Sequence, residues 1–326
     1  MTQAVCWVVT DGKPGMQNQC VGLAEAVGLP FDIKRIVVRA PWRWLLPPLW
    51  LTPLRAMSAA GDQLAPPWPR LVIGTGRMSV APVAAIGRAS GGRTFTVQIQ
   101  NPGMRASAFG LIVAPRHDNV SGDNIVSTDG ALHRVTRARL EAEAKQVAPT
   151  LAPLQRPLVA VLVGGNNRSY RLDAEVANTL ADGLAALCRN HGASLAVTAS
   201  RRTGDAAFDV LRRRLAELPA VLWDGSGANP YFGYLGLADA IVVTCDSVSM
   251  ASEAASTGKP VYVFDLPGSS LKFDAFHAGL RDAGITRRFT GTLETWSYVP
   301  PDDTARVAQE VRRRLQLPPI PSAPRT

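Results

Sequence analysis

Cysteine is scarce in this 326-residue sequence, which has only Cys6, Cys20, Cys188 and Cys245, with no CxxC or CxH spacing. That argues against structural zinc and fits a reduced compartment. The four histidines, His117, His133, His191 and His277, also lack metal-ligand spacing. Aromatic residues make up 6%, the arginines are dispersed, and no RNA- or DNA-binding motif is present, so nucleic acid is not the expected partner. No apolar run is long enough to span a bilayer. The most hydrophobic segment, PWRWLLPPLWLTPLRAM at 41–57, is broken by prolines and arginines. The glycine-rich loops match neither GxxxxGK[ST] nor GxGxxG. The first residues show no basic n-region or cleavage site, so a cytoplasmic protein without a signal peptide is expected.

What is present fits an α/β protein with real cores. Hydrophobic residues make up 46% of the chain and charged residues 19%. The net charge of +9 is unevenly placed: residues 1–155 hold 16 Lys/Arg against 9 Asp/Glu, and the remainder 19 against 17. The first half is therefore the part expected to meet an anionic surface or acceptor. Segment 41–57, with three tryptophans among leucines and arginines, fits an element lying on an anionic membrane surface, or a core helix with a packed loop.

Strand-like and helix-like runs alternate. Strands are expected at 4–10, 31–38, 71–74, 94–99 and 109–114, with helices at 16–27, 79–88 and 137–146. The stretch VAPTLAPLQRP at 147–157, with three prolines, reads as a linker. The alternation then restarts with strands at 158–163, 194–199, 221–223, 240–244 and 261–264. Such alternation predicts parallel sheets. The expected architecture is α/β, with two Rossmann-like domains, 1–150 and 151–326, facing each other across a cleft.

Donor-rich loops follow several of these strands. After the first comes Asp11-Gly12-Lys13-Pro14-Gly15, where the glycines permit tight turns and Lys13 could meet an anionic acceptor. Asp11 is a candidate general base, or a cap for the following turn. In the second half, Gly164-Gly165-Asn166-Asn167-Arg168 and Thr198-Ala199-Ser200-Arg201-Arg202-Thr203 follow consecutive strands. The segment ADAIVVTCDSVSMASEAASTGKPVYVF (238–264) reads strand–loop–helix–strand, with Asp246, Ser247 and Ser249 at the helix start. A helix start at a strand's carboxyl end favours anions. Glu253 shares a helix face with Ser249, which makes it a candidate for ribose hydroxyls, or a surface carboxylate. Together these loops read as a pocket for a nucleotide diphosphate. The pair His117-Asp118 is a weaker candidate at the end of the strand at 109–114.

The blocks TDGKPGMQNQCVGLAEAVG, VLVGGNNRSYRL, TASRRT, WDGSGANPYFGYLGLADAIVVT and DSVSMASEAASTGKPVYVFDLPG, between Thr10 and Gly268, resemble the bacterial branch of the mitochondrial-fission ELM-type family. The second half is more distantly similar to two-domain glycosyltransferases of the GT-B fold, nearest in layout to the enzyme that glycosylates the lipid-linked peptidoglycan precursor. That resemblance implies donor contacts at Ser247, Ser249 and Glu253, a phosphate loop at Gly164-Gly165, an acceptor loop at Asp11–Gly15 and a membrane patch at 41–57. Met16 departs from the pattern, since ELM-type relatives often carry His after GKPG.

The resemblance implies a metal-independent glycosyltransferase without a cofactor, using a nucleotide sugar as substrate and a lipid-linked or glycan acceptor at the inner membrane face. Arg168 or Arg201 would neutralise the diphosphate. Two alternatives stay open: a nucleotide-sugar epimerase on the same fold, and a non-catalytic peripheral membrane scaffold.

Overall fold

The computed structural model describes residues 5–118 and 120–318, without the side chain of His117. The chain divides into two compact units, Met1–Arg134 with Asp302–Thr326, and Val135–Pro301. Each is built on a six-stranded, wholly parallel sheet. Among the described residues no helix is long and apolar enough to cross a membrane.

The first unit runs β1 (Cys6–Thr10), α1 (Pro14–Val27), β2 (Phe31–Arg35), β3 (Leu71–Thr75), α2 (Arg77–Ala89), β4 (Phe95–Ile99), β5 (Leu111–Pro115) and β6 (Ile125–Thr128). Its strand order is β2-β1-β3-β4-β5-β6. Alternation along the strands sets the two faces. Cys6 and Val8 of β1, with Ile73 and Val97, pack beneath α1; Trp7, Val9 and Val72 pack beneath α2. Strands covered on both faces must be apolar throughout, which is why CWVVT and LVIGT read as continuous hydrophobic runs.

The second unit runs α3 (Arg137–Leu151), β7 (Leu158–Val163), α4 (Ala174–His191), β8 (Ser194–Ala199), α5 (Asp205–Leu215), β9 (Ala220–Leu222), α6 (Tyr231–Leu237), β10 (Ala240–Thr244), α7 (Val248–Ala255), β11 (Val261–Phe264), α8 (Leu271–Asp282) and β12 (Thr286–Arg288). Its strand order is β12-β11-β10-β7-β8-β9, the doubly wound order that reverses between β7 and β10. Local chemistry starts and stops the helices. Asp173 caps α4 by accepting from the N–H of Val176, and Gly192 ends it in the left-handed region at φ 62°.

The division between units is not at residue 150. Residues 147–151, read as linker, complete α3, and α3 packs on α6 of the second unit. Glycines allow that approach: a Cβ on Gly236 would lie 2.6 Å from the carbonyl of Leu140, and one on Gly233 2.6 Å from Val147. Conversely α9 (Asp303–Arg314) returns to the first unit, where Val307, Ala308 and Val311 join the core beneath α1. The buried Asp303 carboxylate anchors it by accepting from the N–H groups of Asp129 (2.8 Å) and Gly130 (3.0 Å). Gly236→Ala should lower stability by about 1–3 kcal/mol through overpacking of the α3–α6 contact. A urea titration of the purified chain reads this as a lower midpoint, and an unchanged midpoint would show that the helices part freely.

Candidate functional site

Open parallel sheets bind ligands outside the carboxyl ends of their strands, where the winding reverses. In the second unit that point lies between β7 and β10, whose pairing sets Val161 beside Val242. The loop after β7 and the turn into α7 after β10 are therefore neighbours.

Asp246 organises this edge. Its side chain is fully buried, and it accepts from the N–H of Gly165 (3.0 Å), the hydroxyl of Thr244 (2.6 Å) and the guanidinium of Arg202 (2.8 Å). Thr244 Oγ1 in turn accepts from the N–H of Gly164 (2.8 Å). The carbonyl of Gly164 receives the hydroxyls of Ser200 (2.8 Å) and Thr203 (2.5 Å), which ties in the loop after β8. Burial pushes the Asp246 carboxyl above its usual range, against the opposing pull of Thr244, Arg202 and Gly165. A side chain on Gly164 would overlap the Asp246 carboxylate, and one on Gly165 the carbonyl of Arg202. Both glycines are thus required by the protein's own packing, and both N–H groups are donated internally.

The asparagines also shape the loop. Asn167 accepts from the N–H groups of Ser169 (2.7 Å) and Tyr170 (2.9 Å) and donates to the carbonyl of Asp246 (3.2 Å). Asn166 exchanges hydrogen bonds with the backbone of Leu172. Arg168 and Arg201 are exposed and have no hydrogen-bond or ion-pair partner among the described residues. At the start of α7, Ser247 is the N-cap and accepts from the N–H of Met250 (3.3 Å), while Ser249 lies half-buried in the first turn.

Glu253 is not a surface carboxylate. It is buried in α7 and accepts from the hydroxyl of Tyr231 (2.5 Å). Burial pushes its carboxyl up to about 7, although that hydrogen bond pulls the other way. Thr244 and Arg202 act through Asp246 and Tyr231 through Glu253, contacts that loop composition does not reveal: nothing in the sequence separates Arg202 from its neighbour Arg201.

The first unit reverses its winding between β1 and β3. Asp11 pairs with Lys13 at 2.6 Å in the loop after β1. Gly12 takes the left-handed conformation at φ 81°, whereas Gly15 is an ordinary residue of α1. Met16 sits against the ends of β3 and β4, its sulfur 3.7 Å from Thr75 Oγ1 and 3.4 Å from Gln100 Nε2. The side chain of His117 lies outside the described residues, and Asp118 accepts from the N–H of Asn101 (3.4 Å). Among the described residues no cluster of three or more His, Cys, Asp or Glu side chains could hold a metal ion.

The family described as mitochondrial fission ELM1 matches residues 14–315. The chain belongs to the ELM1 family. Mitochondrial fission protein ELM1 of Arabidopsis thaliana is 36% identical over 274 residues, covering 76% of this chain and 64% of its own length. The uncharacterized protein RP120 of Rickettsia prowazekii is 30% identical over 210 residues, 62% of this chain and 58% of its own. The chain thus spans less than two thirds of the length of these curated relatives. Among solved structures, a UDP-GlcNAc 2-epimerase from Methanocaldococcus jannaschii superposes with a TM-score of 0.59 at 10% identity, covering 95% of this chain and 99% of that one. Os79 from O. sativa in complex with UDP gives 0.52 at 11% identity, with 94% and 92% covered. At such identities the likeness is one of fold, and this member of the ELM1 family has the two-sheet GT-B architecture.

The buried carboxyl gives a pH test. Glu253 sits at about 7 in the folded chain against an ordinary glutamate value of 4.5, so the folded form holds its proton more tightly across that interval. Its contribution is complete below 4.5 and is lost as pH rises through 7, on the order of 3 kcal/mol in all. Stability of Glu253→Gln minus that of the wild type should rise by this amount between those limits. A flat difference curve from denaturant titrations would show that the carboxyl titrates normally.

Proposed function

We propose that this chain is a glycosyltransferase of the GT-B type, which holds a nucleoside-diphosphate sugar at the β7–β10 edge and passes the sugar to a cell-envelope acceptor at the inner membrane face. One observation carries the reading: a rigid glycine loop and the start of a helix lie side by side where the winding of the sheet reverses. In the first turn of α7 the N–H of Met250 is taken up by the Ser247 cap, and those of Val248 and Ser249, with no acceptor within the helix, favour an anion.

Arg168 and Arg201, exposed and unengaged, are the side chains assigned to the diphosphate. As the bond from the sugar to its phosphate breaks, negative charge gathers on the departing diphosphate. Arginine and fixed N–H groups stabilise that charge without reorganising. Asp11 is the candidate acceptor of the hydroxyl proton. Glu253 holds the Tyr231 hydroxyl through Oε2, which leaves Oε1 as the acceptor for a ribose hydroxyl. Proteins of similar fold lend support, since the M. jannaschii epimerase is known in complex with UDP-GlcNAc and UDP, and Os79 in complex with UDP.

A second reading is favoured by the relative named for mitochondrial fission and by the internal use of Gly164, Gly165 and Glu253: the fold is kept as a scaffold without catalysis. The neighbours named as epimerases supply a third.

Thermal shift against uridine, cytidine, guanosine and thymidine diphosphates separates the scaffold from the enzymes. A ligand at a hundred times its Kd should stabilise the chain by about 2.7 kcal/mol. Arg168→Ala and Arg201→Ala should each weaken that ligand roughly tenfold, the loss of one charge-assisted contact. Four flat traces favour the scaffold. With the nucleotide identified, conversion of its sugar derivative in the absence of any acceptor marks an epimerase.

A further inference from the structure

At the amino ends of β3, β4 and β5, away from the edge that carries Asp11, lies an open cavity of about 1340 Å³. The turn between α2 and β4, the loop between β4 and β5 and the end of α9 form its walls. Arg70, Arg88, Arg93, Arg105 and Arg314 line it, and no Asp or Glu does. Two of these arginines have partners within the protein. Arg70 donates to the carbonyl of Leu315 (2.5 Å), and half-buried Arg314 pairs with Glu310 (2.6 Å) and donates to the carbonyl of Gly110 (3.2 Å). The side chains of Arg88, Arg93 and Arg105 are exposed, and among the described residues no hydrogen bond or ion pair holds them.

The fold itself accounts for one of these three. Arg88 lies in the last turn of α2, where the carbonyl end of a helix favours a cation. Arg93 and Arg105 stand on separate loops and serve no such purpose. Like charges gathered round one recess repel each other, a cost that a bound anion removes. Guanidinium is also the group that best matches phosphoryl oxygens, through paired N–H donors. The volume is ample for a small molecule, and a single phosphate would fill little of it. Half-buried Phe95 and Met104 add apolar wall beside the charge.

We propose that this cavity binds a soluble small molecule carrying several phosphoryl groups, which Arg88, Arg93 and Arg105 hold and which ties the end of α9 to the α2–β4 turn. The site is independent of the nucleotide reading, because none of its residues belongs to the β7–β10 edge. It is equally separate from the loop at Asp11, which lies at the opposite end of the same sheet.

Calorimetric titration of the full chain with inorganic tripolyphosphate, at physiological ionic strength, tests it. Each of Arg88→Ala, Arg93→Ala and Arg105→Ala should weaken binding about tenfold, the loss of one charge-assisted contact, and the triple variant should lose this binding altogether. The triple lysine variant keeps the charge without the paired donors and should fall between wild type and triple alanine. Arg168→Ala with Arg201→Ala should leave binding at this cavity unchanged. Should the triple alanine variant fail to fold, hydrogen exchange on the wild type reads the same site: tripolyphosphate should slow the amides of 88–93, 103–110 and 312–316. The proposal is overturned if the folded triple alanine variant binds like the wild type, if no protection appears in those three segments, or if tripolyphosphate does not bind. Binding of phosphatidylglycerol vesicles through these arginines while tripolyphosphate is ignored overturns it as well.

Discussion

The carboxylate of Asp246 is the interaction on which the second unit's candidate site depends. It lies where three separate chain segments converge, and each gives it a donor: a backbone N–H from the loop after β7, a hydroxyl from the end of β10 and a guanidinium from the loop after β8. A buried carboxylate is tolerated only when its oxygens are satisfied, so the three segments are held in one arrangement. The two glycines follow from this, because a Cβ at either position would intrude on the carboxylate or on the neighbouring backbone. The loops that would receive a diphosphate are therefore rigid before any ligand arrives. Such rigidity favours binding by removing an ordering penalty.

Much of this architecture is legible in the sequence because parallel strands covered on both faces must be apolar along their whole length. CWVVT, LVIGT, LVAVLV and AIVVT announce themselves in that way, and each occupies the expected strand. The short outer strands β6 and β12 do not. IVST and TRR are partly exposed or polar, and they join the sheet only because neighbours are already there to pair with. The expected boundary at residue 150 does not hold, because the proline there does not end the helix. Pro149 lies within the last residues of α3, and docking against α6 fixes that helix in the second unit.

The candidate site was legible in position but not in partnership. Strand ends followed by Gly, Ser, Asn and Arg identify the carboxyl edge, since loop composition is a local property. Which side chains satisfy one another there is not local. Arg202 rather than Arg201 reaches Asp246, and Glu253 turns inward to Tyr231, twenty-two residues earlier in the chain. Segment 41–57 illustrates the same limit: its composition does not tell which side chains are buried, and the chain packs Trp50 and Met57 into the core while Trp44, Leu46, Leu49 and Leu51 stay exposed.

The return of α9 to the first unit has a consequence for how the chain matures. Everything from Val135 to Pro301 is an insertion within the first unit, whose final helix is translated last. Until Val307 and Val311 emerge from the ribosome, the part of the core that α9 covers beside α1 stays open, while the second unit already has every element it needs. Units usually fold in the order of their synthesis. Here the later half is the first able to complete, and the earlier half waits for its last helix.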